Sequence, residues 1–252
     1  MVKLQLRKNE ERGSFQSNTI TAKYSFSFSD YISSKHRGHG SLQVLNEDTI
    51  SSKGGFEMHE HENFEILSYI ISGELEHIDD MGNRELVKKG MIQFTSAGRG
   101  IRHSEKNISK KKCHLLQLWI APLEFNLTPK YQTLSYNKLK SINQFLPIAS
   151  PITKILSDTV GVNANCYISC LVLQTNDEVI YKFLNTYNPS RKVYIHLIEN
   201  QSNSSICWLN NDFKLSSGDG AYLDKFQANE SKLLFKKEGE QNLELLVFEM
   251  YK

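Results

Sequence analysis

Two short motifs of this chain carry side chains of the kinds that bind metal ions. His59 and His61 form the first motif, and His103 and Glu105 form the second. Within each motif one residue separates the two side chains, a spacing that places both on the same face of a β-strand. If the two strands face each other inside a small barrel, three imidazoles and one carboxylate converge on one point. The sequence therefore predicts a mononuclear metal site.

Length and charge limit the possible classes of protein. The chain has 252 residues, enough for one large domain or two small ones, and its 30 basic and 28 acidic residues give a net charge of +2. This near balance gives no reason to expect a nucleic-acid or membrane partner. The first residues lack the apolar stretch of a signal peptide, and no apolar run has the length of a membrane span. We therefore expect a soluble, cytoplasmic protein, and nothing in the sequence demands more than a monomer.

The four cysteines fit the same compartment. They show no paired CxxC spacing, and Cys166 and Cys170 share one face of a predicted strand. A thiol metal site there is the alternative to ordinary core cysteines, which we favour because free cysteine is often buried as a small hydrophobic residue.

The β-strand pattern divides the chain into two blocks. Short apolar runs separated by turn residues dominate both, and their spacing is typical of sandwiches and barrels. A less regular stretch over about 122–151 is predicted to be a helical or irregular linker. We predict an N-terminal metal-binding domain over 1–135, then the linker and a C-terminal metal-free domain over 136–252. Near Tyr181, where a second pair of histidines would fall, there is none.

The sequence resembles the pirin family of bicupins. The second motif segment, Thr95–Glu105, is the most specific part of the likeness, which is strong over residues 5–132 and faint beyond. Within the family, Gly100–Asn107 is among the segments most similar to bacterial members with quercetin 2,3-dioxygenase activity. The other matching segments are Gly55–Glu65, Gly73–His77, Met81–Asn83, Glu11–Gly13, Phe26–Phe28, Leu118–Ile120 and Pro129–Gln132.

The resemblance implies an all-β bicupin fold with two tandem antiparallel β-barrels of the jelly-roll (cupin) type. It also places His59, His61, His103 and Glu105 at the metal-ligand positions. Two residues depart from the family pattern. Glu60 stands where a proline is usual, and Tyr24 stands where a histidine is common. Glu60 is expected to point away from the metal by strand alternation, whereas the role of position 24 is left open.

The ligand set also predicts the chemistry. Three imidazoles and one carboxylate suit one divalent transition metal, with Fe(II) preferred and Mn, Co, Ni, Cu or Zn possible, and they leave coordination positions open for a substrate and dioxygen. Together with these open positions, the resemblance implies a metal-dependent dioxygenase that cleaves flavonols, and we expect Glu105 to take the substrate proton. The alternative is a pirin-like regulator, whose metal centre tunes its binding to a transcription factor or a metabolic enzyme. His77, on a predicted hairpin strand, is interpreted as structural.

Overall fold

The computed structural model describes residues 3–185, 188, 190–200, 204–226 and 232–251. Over this part of the chain the regular structure consists of 22 β-strands and three short 3₁₀ helices (Asn9–Glu11, Lys138–Ser141 and Ile152–Lys154). The all-β prediction is therefore confirmed. None of the described helices is long and apolar enough to span a bilayer.

Contacts along the chain define two compact units. The first unit comprises Gly13–Tyr136 and Ile152–Ala164, and the second comprises Met1–Arg12, Asn137–Pro151 and Asn165–Lys252. Each unit therefore contains a short segment that is distant in sequence from the rest. The predicted domain division between residues 135 and 136 stays a prediction.

The first unit holds both metal motifs and is built from two antiparallel sheets. The larger sheet has the order β12-β9-β6-β11-β4-β3-β2, and the smaller one has the order β5-β10-β7-β8. The strands of this unit are β2 (Gly13–Gln16), β3 (Ile20–Tyr24), β4 (Leu42–Ile50), β5 (Gly55–His61), β6 (Glu65–Ser72), β7 (Glu74–Asp79), β8 (Arg84–Lys88), β9 (Met91–Ser96), β10 (Ile101–Lys106), β11 (Cys113–Ile120), β12 (Lys130–Ser135) and β14 (Val160–Val162).

The second unit repeats this two-sheet plan. Six of its strands form a sheet in the order β1-β20-β17-β22-β15-β13, and four more form a sheet in the order β16-β21-β18-β19. The strands of this unit are β1 (Lys3–Arg7), β13 (Leu146–Pro151), β15 (Cys166–Leu173), β16 (Glu178–Lys182), β17 (Lys192–Leu197), β18 (Ile206–Leu209), β19 (Phe213–Leu215), β20 (Gly220–Asp224), β21 (Lys232–Glu238) and β22 (Leu243–Met250).

Alternation of side chains explains how each unit forms its core. Along β7, Leu75, His77 and Asp79 are buried while the intervening residues are half-exposed, as expected when one sheet face packs on the interior. Among the described residues, the buried clusters around Leu75 and around Ile66 contain only residues of the first unit, and the large cluster around Leu171 contains only residues of the second. All four cysteines are buried and free, as predicted for core cysteines.

One predicted segment differs from the structure. The sequence predicts a helical or irregular linker over 122–151, but this stretch contains β12, a 3₁₀ helix and β13. β12 is an edge strand of the larger sheet of the first unit, with alternate half-buried and exposed residues. Its weakly apolar pattern arises because only one of its sides is paired and neither face is deeply buried.

Candidate metal centre

The two metal motifs lie on neighbouring strands of the smaller sheet in the first unit. Strands β5 and β10 pair antiparallel, with His103 opposite His59. The register shifts between His103 and Glu105, so that Glu105 lies opposite Phe56. Such a bulge re-aims the side chains beside it. The neighbouring Glu60 is exposed, as strand alternation predicts.

The three histidines form a compact triangle. Their ring centroids are 4.7 Å apart for His59 and His61, 4.6 Å for His59 and His103, and 4.7 Å for His61 and His103. One ligand atom from each lies within 4.8 Å of the others. His61 and His103 are buried, whereas His59 is partly exposed. The side of the cluster at His59 is therefore the one nearest to solvent.

The spacing of the imidazole nitrogens fits a metal ion. His59 Nε2 and His103 Nε2 are 3.1 Å apart, and two ligands at right angles, each about 2.1 Å from a metal, are about 3.0 Å apart. His59 Nδ1 is 2.6 Å from the carbonyl oxygen of Glu57. Because a carbonyl only accepts, Nδ1 carries the hydrogen and Nε2 presents its lone pair, an orientation typical of metal-binding histidines.

Two of the imidazoles are held in the neutral form that binds metals. Burial, followed by repulsion from His103 and His59, lowers the pKa of His61 to about 3. Burial, together with repulsion from His59 and His77, lowers the pKa of His103 to the same value. Both rings are therefore unprotonated at neutral pH, and no proton has to leave them before a metal binds.

Glu105 lies in a ring of hydrogen-bond donors from the larger sheet. Its Oε1 accepts from Ser68 Oγ at 3.0 Å and from Gln93 Nε2 at 3.1 Å, and its Oε2 accepts from Gln117 Nε2 at 2.7 Å. The three donors form one row across the sheet, because Ser68 pairs with both Gln93 and Gln117. The row stabilises a carboxylate that is only 2% exposed.

A second group of possible ligands overlaps the first. His77, His103 and Glu105 are all buried and offer ligand atoms within 4.8 Å of one another. His103 belongs to both groups, so Glu105 lies beside the histidine triangle, next to His103. His77, however, uses both ring nitrogens in other contacts: Nε2 is 3.1 Å from Asp79 Oδ2, and Nδ1 is 3.1 Å from Gln93 Nε2.

Aromatic rings cover the side of the cluster at His61. The ring of Trp119 lies 4.7 Å from that of His61 in an edge-on arrangement, and Phe28 and Phe64 lie 5.4 and 5.3 Å from Trp119. These rings give the candidate metal centre an apolar, aromatic wall.

Comparison with known proteins gives the family. The Pirin family model matches residues 5–120. A protein named "putative quercetin 2,3-dioxygenase" from Pasteurella multocida is 31% identical over 250 residues, which cover 98% of this chain and 99% of that protein. The chain belongs to the pirin family. The quercetin 2,3-dioxygenase of Escherichia coli K12 is 41% identical to this pirin over 136 residues, 54% of the chain. That alignment spans 59% of the Escherichia coli protein.

Solved structures share the whole fold of this pirin. YhhW from Escherichia coli has a TM-score of 0.84 at 29% identity, with 98% of this chain and 97% of that chain covered. The complex of YhhW, a bacterial pirin, with nickel(II) has a TM-score of 0.83 at 28% identity and covers 99% of both chains. The bicupin, jelly-roll prediction is confirmed. The His/Glu cluster and the nickel complex of this relative support a single divalent metal in this pirin.

The second unit carries apolar side chains where the first carries the two motifs. Strand β16 pairs with β21 as β5 pairs with β10, and this pairing sets Val179 opposite Phe235 and Tyr181 opposite Leu233. All four side chains are buried in the core of the second unit. In the described part of the chain, the groups of possible metal ligands lie only in the first unit.

Proposed function

We propose that this pirin is a metal-dependent dioxygenase that cleaves flavonols, with His59, His61, His103 and Glu105 as its metal ligands. The observation that carries the proposal is the triangle of histidine rings, two of them neutral, with the hydrogen-bonded Glu105 beside His103. The name of the Escherichia coli relative supplies the reaction class. The substrates are then a small aromatic molecule and dioxygen.

The proposed resident metal is Fe(II). Imidazole and carboxylate ligands also accept Mn, Co, Ni, Cu or Zn, so elemental analysis of protein purified without added metal is the direct test. A divalent metal in this position would supply Lewis acidity toward the 3-oxygen of a flavonol and a means of reacting it with dioxygen.

The protein side chains have two further proposed roles. The rings of Trp119, Phe28 and Phe64 provide a surface for a planar aromatic substrate and keep water away from it. Glu105 accepts the proton of the substrate 3-hydroxyl, the acid-base step that precedes oxidation.

The hydrogen bonds around Glu105 indicate which oxygen would hold that proton. Oε2 faces the amide nitrogen of Gln117, which can only donate. Oε1 faces the Gln93 amide and also the hydroxyl of Ser68, and of these donors only the hydroxyl can turn from donor to acceptor. We therefore assign the transferred proton to Oε1, where Ser68 can accept it in a hydrogen bond.

Aerobic turnover of quercetin by metal-analysed protein tests the proposal. Loss of the flavonol absorbance is followed for the wild-type protein and for His59→Ala, a change that removes the most exposed ligand. We expect turnover that requires both a bound divalent metal and His59. A fully metallated wild-type protein without turnover would refute the flavonol reaction.

The base role of Glu105 has a separate test. Glu105→Gln keeps the size of the side chain and one oxygen ligand but removes the proton acceptor. We expect the variant to retain much of its metal and to lose turnover. Wild-type turnover in this variant would rule out the base role while leaving the metal centre in place.

A further inference from the structure

We propose that His77 is a positioning residue of the metal centre, which fixes the amide of Gln93 and through it the orientation of Glu105. This inference rests on the proposed metal ligation by Glu105. The contacts run from Asp79 at the β7–β8 hairpin turn through His77 and Gln93 to Glu105. His77 and Gln93 need not touch the metal or the substrate for this role.

The chain begins at Asp79, which the hairpin turn holds in place. Asp79 Oδ1 accepts from the backbone nitrogens of Met81 and Asn83 at 3.0 and 2.9 Å, and Asn83 Nδ2 donates to Oδ2 at 2.8 Å. Burial opposes the charge of Asp79, but the hydrogen bonds from Asn83 and His77 outweigh it and lower its pKa. An ionised, anchored carboxylate therefore faces the His77 ring.

The partners of His77 determine its tautomer. An ionised Asp79 only accepts, so His77 Nε2, 3.1 Å away, carries the hydrogen. The other ring nitrogen, Nδ1, lies 3.1 Å from Gln93 Nε2, which only donates, so Nδ1 is the acceptor of that contact. Because Asp79 fixes the hydrogen on Nε2, the ring presents Nδ1 as an acceptor to the Gln93 amide.

Gln93 has two amide hydrogens, and the two contacts use both. One points to His77 Nδ1 and the other to Glu105 Oε1, each over 3.1 Å. If the amide were reversed, its oxygen would face the acceptors of both His77 and Glu105. In the described structure Gln93 Oε1 is buried without a hydrogen-bond partner, so the orientation of the amide depends on the nitrogen contacts alone.

Packing also restricts the orientation of the His77 ring. The ring is fully buried and stacks on Tyr131, with centroids 4.4 Å apart and planes 15° from parallel. It lies directly opposite Glu105 in the β7–β10 register, and the His103 ring contacts it edge-on at 5.2 Å. His77 is therefore held in a single orientation next to the ligand that it positions.

A double-mutant cycle tests whether His77 acts through Gln93. The variants are His77→Phe, which keeps a ring to stack on Tyr131, Gln93→Leu, which keeps the volume, and the double mutant. His114→Phe is the matched control, because His114 also contacts a carboxylate, Glu47 at 3.0 Å, but has no contact with Glu105. Each protein is titrated with Ni(II) by calorimetry, and the visible spectrum of its Co(II) form is recorded.

The positioning role predicts a specific set of results. Either single change should weaken Ni(II) binding about 10- to 100-fold, the usual effect of losing an outer hydrogen bond at a metal site, and should alter the Co(II) spectrum. The double mutant should bind no more weakly than the weaker single mutant, since both changes break one chain. The control should match the wild-type protein. Wild-type affinity in His77→Phe, or multiplied losses in the double mutant, would overturn the proposal.

A conservative pair of variants covers the case in which His77→Phe does not fold. Asparagine places an acceptor close to the position of Nδ1, and glutamine reaches the position of Nε2, so His77→Asn should retain metal affinity better than His77→Gln. The reverse order would overturn the role of Nδ1. These measurements use metal affinity and spectra only, so the absence of quercetin turnover in the wild-type protein would refute the proposed reaction without affecting this result.

Discussion

At the scale of single residues, the buried carboxylate of Glu105 accepts hydrogen bonds from three side-chain donors. Gln117 makes the shortest of the three contacts, 2.7 Å to Oε2. Replacing it with leucine leaves a buried carboxylate oxygen without a donor, so we expect Gln117→Leu to lower the free energy of unfolding of the metal-free protein by about 1–3 kcal/mol. Added Ni(II) should restore part of the lost stability, because the bound cation offsets the negative charge of the Glu105 carboxylate.

Urea unfolding with and without Ni(II) measures this effect. Gln132→Leu is the control, since Gln132 is exposed on β12 and should change stability little. Equal stabilities of Gln117→Leu and the wild-type protein would show that Gln117 does not support the Glu105 charge.

Glu65 gives a prediction for the pH dependence of stability. Burial raises its pKa above 4.5, although hydrogen bonds from Asn163 and Ser96 oppose the shift. The folded state therefore holds this proton more tightly than the unfolded state does. The stability contributed by the group is fully present below pH 4.5 and is lost as the pH rises toward the folded pKa.

Glu65→Gln cannot titrate, so it should gain stability relative to the wild-type protein as the pH rises above 4.5. The difference in free energy of unfolding should grow by up to about 1.4 kcal/mol per pH unit and should level off once the pH exceeds the folded pKa. Urea unfolding between about pH 4 and pH 8 is the measurement, with Glu62→Gln, at an exposed position, as the control. A difference that is constant with pH would contradict the raised pKa of Glu65.

At the residue scale, the sequence predicts the ligand pairs but not the donors around Glu105. The i, i+2 spacing of His59 with His61 and of His103 with Glu105 predicts that each pair shares a face, because strand alternation is local. Ser68, Gln93 and Gln117 were not identified. Each lies between two apolar residues of its strand, and only the register of β6, β9 and β11 shows that they form one row.

At the scale of strands, the bulge between β5 and β10 depends on a glycine. Gly55 has φ +146, and a Cβ there would overlap the backbone carbonyl of Glu105. Gly55→Ala should therefore push β5 away from β10, unfold the protein at lower urea concentration and weaken metal binding. The measurements are urea unfolding and Ni(II) titration.

Gly90→Ala separates the effect of backbone strain from that of the overlap. Gly90 also has positive φ, +86, but a Cβ there would meet only the carbonyl of Tyr136 at 3.7 Å, an ordinary contact. This variant should lose some stability and keep wild-type metal affinity. Equal affinities of the two variants would mean that Gly55 does not set the position of Glu105.

Strand prediction succeeded where the hydrophobic pattern is a local property. The sequence predicts the hairpin of β7 and β8 from the turn residues between its strands, and it predicts β15 from its apolar run. The prediction for the segment over 122–151 is wrong because β12 is an edge strand that has no fully buried residue and so lacks a strong apolar pattern. Its place beside β9 depends on contacts between residues far apart in sequence.

At the scale of the whole molecule, each unit has a buried hydrophobic cluster of its own among the described residues. The buried cluster around Leu171, Tyr181 and Phe235 belongs to the second unit, and the cluster around Ile50, Leu75 and Leu115 belongs to the first. Sequence pattern predicted two blocks of strands, but it could not show that residues 152–164 group with the first unit. That grouping depends on contacts across long stretches of chain, which leave no local pattern.

The two cores allow the effect of the metal to be followed in each unit by thiol labelling. Burial raises the pKa of Cys113 and of Cys207 to about 12, so neither thiol should react until its own core opens. A metal at about 100 times its Kd stabilises the unit that binds it by about 2.7 kcal/mol, or about 100-fold in the open population. Mass spectrometry should therefore show Cys113 labelled about 100-fold more slowly with Ni(II), Cys207 unchanged, and no effect on either in His59→Ala. Equal slowing of both thiols would show instead that the two cores open as one cooperative unit, in which case the metal would stabilise the second core without binding to it.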